Sequence, residues 1–69
     1  MEFVVFDDVV VVEERSDALV CLVAGSEVVV PIHQIGLADH VVRHVGDRGR
    51  LPLPTPVAYA LGVLRVGAP

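Results

Sequence analysis

Gly46-Asp47-Arg48-Gly49-Arg50-Leu51-Pro52-Leu53-Pro54-Thr55-Pro56-Val57-Ala58-Tyr59-Ala60-Leu61-Gly62-Val63 holds a turn, a short extended run, a helix start and a helix stop. Gly46 to Gly49 reads as a hairpin loop. Arg50 to Pro54 reads as a returning strand, with Leu51 and Leu53 on one face. Pro52 lacks an N–H, so this strand is an edge or only half-paired. Thr55 can cap a helix whose first residue is Pro56, where a missing N–H costs nothing. Val57, Ala60, Leu61 and Leu64 then share one apolar face. Gly62 either ends the helix at C′ or is tolerated within it. About two turns of helix are expected, too few to stand without docking on a sheet.

Upstream of this stretch the chain reads as strand. Glu2 to Phe6 is one extended run, and Asp7-Asp8 is a turn or bulge. Val9 to Glu14 is a second strand or the first one continued. Unbroken valine fits an element covered on both faces, since valine is stiff at χ1 and favours extended backbone. Arg15-Ser16-Asp17 is a polar turn. Ala18 to Ala24 reads as a central strand, Gly25-Ser26 as a tight turn, and Glu27 to Ile32 as the return. Pro31 ends that strand or marks an edge. His33 to Asp39 is irregular or a single helical turn. His40 to Val45 is read as strand from its β-branched valines and the Gly46 stop. Val41, Arg43 and Val45 would then share one face, and His40, Val42 and His44 the other. Val66 to Pro69 is a tail.

The expected fold is therefore mainly β. It is a small antiparallel β-barrel or curled sheet of five or six strands, of SH3-like size, with one short C-terminal helix over residues 56–63. The 69 residues form a single domain, 1–69. A core this small is marginal and commonly needs a staple or a partner chain. Cys21 is the only cysteine, so no internal disulfide can form. Its apolar surroundings suit a buried, reduced thiol. A cytoplasmic location is expected. No apolar run approaches the roughly 20 residues that cross a bilayer, and no signal-peptide pattern opens the chain.

The net charge is −4, unevenly spread. Glu2, Asp7, Asp8, Glu13, Glu14, Asp17 and Glu27 face only Arg15 in the first part. Arg43, Arg48, Arg50 and Arg65 face Asp39 and Asp47 in the second. Arg43, His44, Arg48 and Arg50 surround the expected Gly46–Gly49 hairpin and could fork onto phosphates. The acidic balance and the lack of lysine and stacking aromatics weigh against nucleic acid as the first partner.

Catalytic arrangements are missing from the pattern. Cys21 lies in an apolar run, Ser16 and Ser26 lie in turns, and Asp7-Asp8 and Glu13-Glu14 point to opposite strand faces. Gly46 to Arg50 lacks the lysine of a phosphate-binding loop. His40 and His44 would be a zinc pair on a helix, but roughly 13 Å apart on a strand. No enzyme activity, cofactor or metal is expected.

Two resemblances bear on function. Gly49-Arg50-Leu51-Pro52-Leu53-Pro54, followed by Val57, Leu61, Gly62 and Val63, resembles the core motif of the AbrB-like swapped-hairpin transition regulators. It implies a DNA-binding intertwined dimer or antitoxin, with Arg43, Arg48 and Arg50 near DNA. A longer stretch resembles small, mostly uncharacterised phage and prophage-type proteins. Ala18 to Val23 matches their hairpin strand, Glu27 to Ile35 their Val-Pro step, and Gly46-Asp47 their turn. Leu53-Pro54 and Val57 to Val63 match their apolar-Pro step and terminal helix. That second resemblance implies a fold and no established activity. The expected function is a non-enzymatic binding module, a phage or mobile-element accessory protein that engages a protein partner or a second copy of itself. A DNA-binding regulator is the alternative.

Overall fold

The computed structural model describes residues 2–63. Its strands are β1 (Phe3–Glu14), β2 (Ala18–Val23), β3 (Ser26–Pro31) and β4 (Arg48–Pro54), followed by helix α1 (Thr55–Ala60). A 3₁₀ turn covers Ile32–Gln34. The strands form one antiparallel sheet in the order β3-β2-β1-β4. The mainly β architecture with a short helix is as expected. Among the described residues, however, the sheet is open and four-stranded, where a barrel or a curled sheet of five or six strands was expected.

Two segments account for the difference. Residues 3–6 and 9–14 belong to one twelve-residue strand, β1, the first run continued past a bulge at Asp7-Asp8. Phe6 pairs with Leu51 and Val9 with Gly49, so two aspartates oppose the single Arg50. Asp8 takes φ +61°, which aspartate tolerates better than valine does. A second bulge at Val12 shifts the pairing with β2.

The segment 40–45 is not a strand. Its one ladder contact is a parallel bridge between Val41 and Arg50. His40 has φ +60°, and the Arg43 and His44 N–H groups donate to the Asp47 carboxylate instead of a neighbouring strand. The alternating faces expected there are lost: His40, Val42 and His44 were to share one face, yet Val42 is 2% exposed while both histidines are exposed. With no strand before it, Gly46–Gly49 is not a hairpin loop, and Arg48 and Gly49 begin β4.

The tight turn between β2 and β3 is Ala24-Gly25, one residue earlier than expected, because Val23 pairs with Ser26. Both turn residues have positive φ, +50° and +82°. That is the backbone twist a two-residue hairpin loop requires.

Thr55 does not cap the helix. It is the first helical residue, and both its N–H and its hydroxyl donate to the Glu2 carbonyl, at 3.0 and 3.3 Å. This ties the helix start to the beginning of β1. The helix ends where Gly62 N–H donates to the Tyr59 carbonyl and Val63 N–H to that of Ala58. The pair of bonds places Gly62 at C′ of a Schellman motif. Ala58, not Ala60, is the buried alanine, flanked by half-buried Val57 and Leu61. Leu64, Arg65 and the expected tail lie outside the described residues.

Val9, Val11, Leu19, Cys21, Val23, Val30, Leu51 and Leu53 project from one face of the sheet and meet Val42 and Ala58 above it. Cys21 is fully buried, and burial pushes its thiol pKa up, away from reactivity. Among the described residues no helix is long and apolar enough to cross a membrane.

Candidate binding surface

The expected arginine cluster is divided by the fold. Arg48 and Arg50 project from the outer face of β4, opposite the core, beside the Asp7-Asp8 bulge. Arg48 grips Asp8 with both ends of its guanidinium, Nε to Oδ1 at 2.7 Å and Nη2 to Oδ2 at 3.0 Å. This fork holds the Asp8 carboxyl below, and the Arg48 guanidinium above, its ordinary pKa. Arg50 Nε lies 3.2 Å from Asp7 Oδ1. The bulge therefore places one carboxylate beside each arginine.

Arg43 and His44 lie on the loop instead. Asp47 Oδ2 accepts the N–H of Arg43 at 3.0 Å and of His44 at 2.9 Å. Those two donors, in that order, hold the Asp47 carboxyl below its ordinary pKa. Glu14 Oε1 accepts Val45 N–H at 2.8 Å, and Glu14 Oε2 lies 3.6 Å from His44 Nδ1. Gly46 N–H donates to the Val11 carbonyl, and Val11 N–H to that of Asp47. The loop is thus hung on β1 by backbone bonds and by the Glu14 carboxylate, and is braced internally by that of Asp47.

The Asp47 bonds make a pH prediction with a definite sign. A carboxyl whose folded pKa is depressed stabilises the loop above its unfolded value of 3.8. That stabilisation is lost as pH falls through the lower folded value. Arg43 and His44 amide resonances should therefore move together in an acid titration, with a midpoint below 3.8. In Asp47→Asn the shared transition should disappear. A midpoint at or above the ordinary value would refute the assigned bonds.

The two sheet edges differ. The segment 36–42 covers β4: Gly36 N–H donates to the Pro52 carbonyl, Arg50 N–H to that of His40, and Val42 N–H to that of Arg50. No such cover lies along β3 among the described residues. Ile32 N–H donates to the Asp17 carbonyl. With the β2–β3 register, this makes Leu19–Val30, Cys21–Val28 and Val23–Ser26 the hydrogen-bonded pairs. Glu27 and Val29 therefore direct their N–H and C=O outward. Pro31 shares that parity, which explains how a proline sits in this strand without breaking the ladder. Beside the edge, on the outer face, Val29 is 42% and Leu22 37% exposed.

A cleft of ≈ 370 Å³ opens at the far end of the core. Leu19, Ile32, Ile35 and Val42 form its apolar lining. Glu14, Arg15, Ser16, Arg43 and His44 supply its polar groups. Arg15 Nε is held by Glu13 at 2.8 Å. No single local pattern marks this site, because its parts come from β1, the β1–β2 turn, β2, the 3₁₀ turn and the loop. The one local cue is the Ile32/Ile35 spacing, which stacks two side chains on one side of a 3₁₀ turn. Among the described residues no three of His, Cys, Asp and Glu gather as metal ligands.

Comparison with protein-family models, with curated proteins and with solved structures finds no match to this chain.

Proposed function

We propose that this chain is a non-enzymatic binding module that recruits a protein strand along the outer edge of β3, a second copy of itself being the first such partner. The observation that carries the reading is the contrast between edges. The edge of β4 is occupied by residues 36–42, whereas Glu27 and Val29 on β3 offer unused donors and acceptors among the described residues. Main-chain pairing at an open edge is an established mode of peptide recognition. The exposed Val29 and Leu22 side chains would gain cover from an added strand. Antiparallel self-pairing centred on Val29 joins each Val29 to its copy and each Glu27 N–H to a Pro31 carbonyl. A partner strand also adds burial that a chain of 69 residues lacks.

The phage or mobile-element setting rests on the sequence resemblance. The alternative, an AbrB-like DNA-binding regulator, would have to draw Arg48 and Arg50 away from Asp8 and Asp7, and no observation favours it over the β3 edge.

Light scattering tests the reading. The 7.4 kDa chain is expected to weigh twice that value at high concentration. Val29→Pro should be monomeric with an unchanged circular dichroism spectrum, because the lost N–H points away from β2. A wild-type monomer at about 1 mM would remove self-pairing. A dimer that survives Val29→Pro would place the interface elsewhere.

A further inference from the structure

We propose that the cleft between the β1–β2 turn and the 40–47 loop binds a carboxylate carried on a short aliphatic body. The inference goes beyond strand pairing at β3 and does not depend on it. Three observations support it. The first is the lining: Leu19, Ile32, Ile35 and Val42 come from separate segments and form one apolar wall. An aliphatic group entering there leaves water against apolar side chains.

The second is charge. Among the described residues, Arg15, Arg48 and Arg50 each hold a carboxylate. Arg43 also borders the cleft but has no carboxylate partner among the described residues. In a chain with net charge −4, an arginine without a carboxylate at the mouth of an apolar cleft favours an anion with an apolar portion. A planar guanidinium matches a carboxylate in fork geometry. The one carboxylate on the cleft, Glu14, is engaged by Val45 N–H and lies near His44. Arg15 Nε is already bonded to Glu13, so Arg43 is the principal anchor.

The third is size. A volume of ≈ 370 Å³ lies at the lower end of the range for ligand pockets, about 300–1,000 Å³. It suits a branched aliphatic acid or the last residue of a peptide, not a nucleotide. A free carboxylic acid and a peptide C-terminus present the same chemistry to Arg43.

Amide-resolved NMR titration of the full chain distinguishes the cases. The probes are isocaproate, its neutral amide, a pentapeptide ending in leucine with a free carboxylate, and the same peptide amidated. Shifts should concentrate at Ser16, Ile35, Arg43 and His44, and the neutral amide should bind at least about tenfold more weakly than isocaproate. Arg43→Gln, an exposed change that leaves the fold intact, should weaken isocaproate binding by about tenfold. Tighter binding of the free-carboxylate peptide than of isocaproate identifies a C-terminus as the source; the reverse identifies a small acid. Equal binding of acid and amide, binding unaffected by Arg43→Gln, or no shifts at the cleft would each overturn the proposal. Shifts along Glu27 and Val29 instead would report the β3 edge, so the two readings fail separately.

Discussion

Leu51→Ala is expected to destabilise the protein by about 3 kcal/mol, within the ~2–5 kcal/mol span for emptying a buried leucine site. Leu51 is 0% exposed and pairs with Phe6 across the β1–β4 ladder. Its side chain belongs to the cluster formed by Val9, Val11, Leu53 and Val42. Most of those neighbours are valines, whose single χ1 angle leaves them little freedom to collapse into a void. The cavity should therefore stay largely open, and the cost should lie above the lower limit of that span. The total stability of a chain this size is roughly 3–10 kcal/mol, at ~0.05–0.15 kcal/mol per residue. The loss is thus a large fraction of the whole. Urea denaturation followed by circular dichroism should show the midpoint falling by about 2–3 M for a slope near ~1 kcal/mol per M. Chain concentration must be held fixed, because any dimer adds its own stabilisation. A loss below about 1 kcal/mol would mean that Leu51 is not the packing centre.

Gly49→Ala is expected to cost about 2 kcal/mol, at the level of overpacking. Glycine-to-alanine changes often stabilise by stiffening the unfolded chain, so here the sign of the effect is the test. A Cβ on Gly49 would run into the backbone carbonyl of His40. That carbonyl cannot move freely, because it accepts the Arg50 N–H at 2.8 Å. The contact is with backbone, so no side-chain rotation relieves it. The chain can yield only by lifting residues 40–42 off the edge of β4. Lifting them withdraws Val42, 2% exposed, from the core and removes one wall of the cleft. Hydrogen exchange should accelerate at the Arg50 and Val42 amides before it does so at those of β2. A neutral or stabilising alanine, with protection retained at Arg50, would show that the segment does not press on β4 as described.

The two positions differ in how far the sequence marks them. Leu51 is visible as a core residue: Leu51 and Leu53 alternate with Arg50, Pro52 and Pro54, and period-two alternation needs no knowledge of partners. Gly49 carries no comparable mark. It reads as a loop glycine, and its φ is not in the left-handed region. What demands glycine there is a carbonyl nine residues earlier in the chain, delivered by a segment whose conformation departs from its local preference. Valine at positions 41, 42 and 45 argued for a strand. The Asp47 carboxylate took the Arg43 and His44 N–H groups, and the local preference was overridden. The Asp47 signal was present, since aspartate commonly bonds nearby backbone N–H groups.

The arginines show the same division. Arg48 and Arg50 are recognisable as a basic pair, and Asp7-Asp8 as a break in a valine run. Nothing local to either says that the bulge sets the two aspartates opposite Arg50 and within reach of Arg48. That depends on the β1–β4 register, formed between segments some forty residues apart.

What the sequence by itself determined are features set by each residue's own backbone preferences and its near neighbours. These include extended valine runs, the interruption at Asp7-Asp8, a tight turn near Gly25, and a helix between Pro54 and Gly62. What only the tertiary structure decided are the fate of residues 40–47, the edge of β3 left uncovered among the described residues, the partners of Arg48 and Arg50, and the cleft beside Arg43. Dihedral preferences act over a few residues and are written in the residue types themselves. Register, edge cover and cavities arise where distant segments compete for the same donors and the same space, and that competition is resolved only when the sheet has formed.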